Sequence, residues 1–161
     1  MRAVAIVVAF WAATACAAVQ TISPQESLAL RRAAISWLEC EECTNGELAA
    51  LVKFGEKAVP TLGAALERGP SPATQEEVRM HLEGTYRNLV EYARTHSEVK
   101  VGLTEDAYVK WYLENFQAKY AVRAAQGLAA LGGPAARKYL DAATQRTWRK
   151  DVSAAILQAA K

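Results

Sequence analysis

From residue 23 onward, apolar side chains recur every three or four positions, and no stretch sustains the alternation of a half-buried strand. Ser23-Pro24-Gln25-Glu26 reads as a helix start: Ser23 caps, Pro24 takes the first helical position and Glu26 completes a capping box. Leu28, Ile35 and Leu38 mark one face of that helix, with Trp37 beside it and an end near Glu39. Thr44-Asn45-Gly46-Glu47 is a second capping box ahead of Leu48, Leu51, Val52 and Phe54, and Gly55 is placed to end that helix at positive φ. A third helix starts near Lys57, tolerates Pro60 in its first turn, carries Val59, Leu62 and Leu66, and stops at Gly69-Pro70-Ser71-Pro72.

Pro72 opens a long segment to about His96, with Val78, Leu82, Leu89 and Ala93 at helical spacing and Tyr86 near the same stripe. Gly84 marks a point where it can bend. Residues 97–103 read as a loop. Thr104 and two following acids start the next helix, which carries Val109, Leu113, Phe116, Tyr120, Ala124, Leu128 and Leu131, with a kink expected near Asn115. Gly132-Gly133 ends it. Pro134 begins another helix to about Ala143, and Trp148 to Ala160 forms the last, with Val152 and Ile156 inward. The pattern is therefore all-α over residues 23–161.

Two stretches of this pattern repeat. Leu51-Val52-Lys53-Phe54-Gly55 matches Leu128-Ala129-Ala130-Leu131-Gly132, and Ala58 and Leu62 align with Ala135 and Tyr139, a spacing of 77 residues. Together with Ala58-Val59-Pro60-Thr61-Leu62, Val122-Arg123-Ala124-Ala125, Leu131-Gly132-Gly133 and Trp148-Arg149-Lys150-Asp151-Val152, the chain resembles HEAT repeats and their bacterial relatives. The resemblance implies stacked antiparallel helix hairpins, a short α-solenoid, that bind other proteins and have no shared catalytic residues. Residues 70–115 depart from it, because that helix is too long and lacks the glycine turn. The alternative architecture is an irregular helical bundle.

The first residues change the picture of where the chain works. Arg2 precedes an apolar run from Ala3 to Ala13, and small residues follow at Ala13-Thr14-Ala15 and Ala15-Cys16-Ala17. This is the layout of an export signal over residues 1–17, leaving 18–22 as a short tail and placing the mature chain in the periplasm or outside the cell. Ala13-Thr14-Ala15-Cys16 also resembles a bacterial lipobox, which makes Cys16 a candidate lipidation site and the sole route to a membrane. A net charge of +2 gives no reason to expect nucleic acid as a partner.

Export makes oxidation of Cys40 and Cys43 expected, and a bridge three residues apart fits a helix exit. The pair then ties the first helix to the second. The competing reading is a thiol–disulfide redox pair. Against it stand Glu39, Glu41, Glu42 and Glu47 around the pair and a helix C-terminus at Cys40, both of which oppose a thiolate. Thr44 occupies the position where haem attachment requires His. His81 and His96, fifteen residues apart on one helix, lie more than roughly 20 Å from each other and cannot share a metal. No cofactor is expected. No nucleophile elbow or phosphate loop occurs, and Glu105, Asp106, Asp141 and Asp151 read as solvated or capping acids.

What remains is a surface. Tyr108 and Trp111 share one helix face, with Tyr112 and Phe116 on the adjacent one, and Trp and Tyr are favoured where proteins dock. Trp148 and Arg149 join them as candidate partner contacts. Charge is divided as well: residues 23–47 hold five acids to two bases, and residues 137–161 six bases to two acids. These features point to an exported module that binds another protein and catalyses nothing itself.

Overall fold

The computed structural model describes residues 22–161; the expected export signal, most of the tail and Cys16 lie outside the described residues. Seven α-helices follow in order among the described residues: α1 Pro24–Glu39, α2 Asn45–Val52, α3 Val59–Arg68, α4 Pro72–Thr95, α5 Glu105–Leu131, α6 Gly133–Thr144 and α7 Lys150–Ala159. A 3-10 turn, Gly55–Ala58, leads into α3. There is no strand among the described residues, so the chain is all-α there.

The boundaries come from side chains that satisfy otherwise unpaired N–H groups at helix starts. Ser23 Oγ accepts from Glu26 N at 3.2 Å, Ser71 Oγ from Thr74 N at 3.1 Å and Thr104 Oγ1 from Ala107 N at 3.3 Å. Thr44 and Glu47 form the full reciprocal box, Thr44 N donating to Glu47 Oε2 at 2.9 Å. The box expected at Ser23 is only half made. Glu26 turns its carboxylate to Lys57 Nζ at 2.7 Å instead of back to the cap. At the other end, Gly132 adopts φ 65° and its N–H closes the last turn of α5 on Leu128 O at 3.0 Å, a conformation glycine reaches without steric cost.

Helix α5 is the hub. It packs against each of the other six helices, and α3 and α6 also pack on each other, as do α6 and α7. This differs from a strict stack in which each hairpin touches only its neighbours. The core gathers Leu30, Trp37 and Leu38 of α1, Leu51 of α2, Val59, Leu62 and Leu66 of α3, Leu140 of α6, and Val152 and Ile156 of α7. They surround Ala121, Ala124, Ala125 and Leu128 of α5, where small side chains allow close approach. Each such Leu, Ile or Val stabilises the fold by about 1.5–3 kcal/mol through burial. Gly63 and Gly127 are the tight points: a Cβ at Gly63 would fall on the Tyr139 ring, and Gly127 sits where α5 meets α1 and α3. A Cβ at Gly127 would lie 2.7 Å from Leu62 Cδ1 and 3.2 Å from Trp37 Nε1.

One expectation needs correction. Leu28 and Ile35 do not face the core; both are exposed, and α1 buries Leu30, Ala34, Trp37 and Leu38. Leu38 belongs to either stripe, and Trp37 decides between them, because its indole N–H reaches an acceptor on α5 only when that side is inward. Helices α4 and α5 each run as one element through Gly84 and Asn115.

Residues 72–117 form an arm. Gln75 meets Gln117 at 2.9 Å, Tyr86 meets Tyr108 with rings 5.4 Å apart, and Arg87 meets Glu105 at 3.8 Å. The order of these pairs makes α4 antiparallel to the first half of α5. The fully buried core of α5 begins at Tyr120, so apart from Phe116, which packs against it, the arm lies outside the core. Leu82 is the only buried residue of α4, and Val109 the only one before Tyr120 in α5. This arm coincides with the segment that departs from the repeat pattern.

Candidate functional site

The arm has two unlike sides. On one, Arg79 pairs with Glu76 at 2.7 Å and with Glu83 at 3.4 Å, Arg87 with Glu83 at 3.7 Å, and Lys110 with Glu114 at 4.0 Å. Such exposed pairs add little stability, but they keep that side solvated.

On the other side the helical repeat brings Tyr108, Trp111, Tyr112 and Asn115 into one stripe of α5. Their rings form a continuous strip. Tyr86 and Tyr108 are 5.4 Å apart, Tyr108 and Tyr112 are 4.5 Å apart, and Trp111 stands edge-on to Tyr112 at 4.7 Å. Trp111 is 53% exposed and Tyr112 41%. Tyr86 anchors the strip by donating its hydroxyl to Leu103 O at 2.8 Å, which folds the loop after α4 onto the arm. Desolvation, and secondarily Tyr112, push the Tyr108 hydroxyl above the ordinary tyrosine range, so it stays a neutral donor. Large exposed rings in contact with one another offer much apolar area for little loss of side-chain freedom.

At its foot the strip meets α7. Arg149 donates through Nε and Nη2 to both carboxylate oxygens of Asp151, each at 2.7 Å, and through Nη1 to Asn115 Oδ1 at 2.8 Å. Asn115 lies one turn from Trp111. Tyr108, Trp111 and Arg149 therefore belong to one surface. Trp148 lies apart from the strip: half-buried, it donates its indole N–H to Ala143 O at 2.8 Å and is covered by the Arg146 guanidinium at 4.4 Å. Its ring secures the turn between α6 and α7. Tyr112, already part of the aromatic set read from the sequence, is exposed, as are Tyr92 and Leu103 on the same arm, which the sequence reading did not single out. The 108/111/112/115 spacing was the available signal for Tyr112.

Cys40 and Cys43 are joined as a disulfide, with Cα atoms 5.5 Å apart and both residues half-buried. The bond ties the exit of α1 to the cap of α2. The acids around it are less uniform than expected. Glu47 is engaged in the Thr44 box, and that hydrogen bond holds its carboxyl below the usual range. Burial, then Glu77, pushes Glu39 upward. Arg123, distant in sequence, donates to the carbonyls of Leu38, Cys40 and Glu41 and brings positive charge beside the bridge. Among the described residues no cluster of three or more His, Cys, Asp or Glu gathers in metal-binding proximity, and no helix is long and apolar enough to cross a membrane. Comparison of the chain with protein-family models, with curated proteins and with solved structures gives no match.

Proposed function

We propose that this chain is an exported, non-catalytic binding module that docks another protein through the aromatic strip of the α4–α5 arm. The observation that carries the reading is a contiguous set of rings on a two-helix arm with little core of its own, in which Trp111 and Tyr112 face outward beside half-buried Tyr86 and Tyr108. Buried aromatic anchors supply most of the energy at protein interfaces, and a contiguous exposed cluster marks such a site. The HEAT-like hairpin stack belongs to the same proposal. The matched segments lie on α2 to α3 and on α5 to α6, and the contact between α3 and α6 supports it. The arm is then an insertion that carries the docking face. Capture from an envelope extract tests the reading. Wild type retains a saturable protein partner, Trp111→Ser/Tyr112→Ser loses it, and Lys110→Ser on the charged side keeps it. Undiminished capture by the double variant would refute the strip as the docking face.

A second reading is thiol–disulfide exchange at Cys40 and Cys43. The Arg123 guanidinium beside Cys40 favours it, since nearby positive charge stabilises a thiolate. A reduction potential below about −300 mV would identify the bond as structural and exclude this reading.

A further inference from the structure

The aromatic strip carries hydrogen-bond donors as well as rings. Trp37 and Trp148 each give the indole N–H to a backbone carbonyl at 2.8 Å, whereas the Trp111 indole N–H donates to no described residue. Arg149 Nη1 donates to Asn115 Oδ1 at 2.8 Å, which fixes the acceptor end of that amide and turns its NH2 end into a donor without a partner among the described residues. Trp111 and Tyr112 stand at 86° with ring centroids 4.7 Å apart, so their faces meet in a corner on the exposed side of the arm. Tyr108 and Asn115 share the stripe seven residues apart, about 10 Å along the helix axis.

These features select among the ways a peptide segment docks. Sheet extension needs a strand edge, and no strand occurs among the described residues. Capture of an acidic or phosphorylated motif needs unengaged guanidinium groups, and Arg149 already gives two donors to the Asp151 carboxylate, each at 2.7 Å. An incoming helix bonds its carbonyls internally, so it would cover the Trp111 and Asn115 donors without supplying acceptors. A polyproline II segment has no internal hydrogen bonds and presents its carbonyls outward. One turn of it advances roughly 9 Å, close to the separation of Tyr108 and Asn115. Its conformation is set before binding, so little freedom is lost on docking.

We infer that the segment docked on the strip is proline-rich and bound as a polyproline II helix. A proline ring sits in the corner between Trp111 and Tyr112, and backbone carbonyls accept from Trp111 Nε1 and Asn115 Nδ2. This assignment rests on the reading of the strip as the docking face and names the chemistry of what it holds.

Fluorescence anisotropy of labelled decaproline titrated with the full mature chain tests the assignment, with a ten-residue Gly-Ser peptide carrying the same label as control. Decaproline saturates with a dissociation constant below about 1 mM, and the Gly-Ser peptide binds at least about tenfold more weakly. Trp111→Phe keeps a ring but removes the N–H, and weakens decaproline by about threefold; Trp111→Ser/Tyr112→Ser weakens it by more than about tenfold. Lys110→Ser on the charged side leaves it unchanged. Circular dichroism confirms that each variant is folded, and should the double variant fail to fold, Trp111→Phe decides. The assignment is overturned if decaproline does not saturate, if the Gly-Ser peptide binds as well, or if folded Trp111→Phe binds like wild type. Capture of a protein partner that depends on Trp111 and Tyr112, without decaproline binding, overturns the proline-rich assignment alone. Capture that the double variant leaves undiminished overturns the docking face and this assignment with it.

Discussion

Trp37 and Arg123 clasp each other from opposite directions. The Trp37 indole Nε1 donates to the backbone carbonyl of Arg123 at 2.8 Å, and the Arg123 guanidinium donates to the carbonyls of Leu38 and Cys40, just after Trp37 in the chain. Those carbonyls end α1 and have no partner within it, so the guanidinium serves as the cap that the helix lacks. Arg123→Ala is expected to lower stability by about 1–2 kcal/mol, the range for charge-assisted bonds at a half-exposed site. Arg123→Lys should recover less than half of that, since one ammonium cannot reproduce a planar fork. Urea unfolding followed by Trp37 fluorescence checks both, and a lysine variant as stable as wild type would show that charge alone suffices.

Two helical glycines should respond in opposite directions. At Gly127 an added methyl meets Leu62 and Trp37, so Gly127→Ala is expected to destabilise by about 1–3 kcal/mol through overpacking. At Gly84 nothing lies within 4 Å of the added carbon, so Gly84→Ala should stabilise by up to about 1 kcal/mol through helix propensity. Thermal unfolding of the two variants gives the signs directly. A stabilising Gly127→Ala would mean that α1 and α5 are not in the close contact described.

The Cys40–Cys43 bridge closes a very short loop, so its loss should cost about 2 kcal/mol in the chain-entropy account. Cys40→Ser in oxidising buffer and wild type in reductant should show matching losses. If Cys40→Ser unfolds at the same denaturant concentration as the oxidised wild type, the bond is not structural.

Glu39 gives the fold a pH signature. Its carboxyl is raised by burial first and by Glu77 second. A raised folded pKa means that its contribution to stability is fully present below the unfolded carboxylate pKa and is lost as pH rises through the folded value. Glu39→Gln removes that loss, so its melting temperature should exceed wild type at pH 7 and the gap should shrink toward pH 4. A gap that widens on acidification would reverse the assigned cause.

The helix limits were legible because local chemistry writes them. Ser23, Thr44 and Thr104 all cap where their spacing to the following residues indicates, α4 starts at Pro72 as read, and Gly132 ends α5. What the sequence withheld depends on pairings distant along the chain. The choice between the Leu28/Ile35 stripe and the Leu30/Ala34/Trp37 stripe rests on Arg123, 86 residues from Trp37. The use of Trp148 as an internal strut rests on Ala143 and Arg146 rather than on its own propensity. The aromatic strip was half legible. Helical spacing aligned Tyr108 with Trp111, but only the antiparallel register of α4 adds Tyr86 and leaves Tyr112 facing out.

The docking role of the arm is tested most directly by site-specific photo-crosslinking in the native host. A photoreactive phenylalanine analogue placed at Trp111 or Tyr112 should yield one discrete adduct with another protein, and the same residue at Lys110 or Arg79 on the charged side should yield none. Equal adducts from both sides, or none from Trp111 and Tyr112, would contradict the claim that the aromatic strip is where this protein meets its partner.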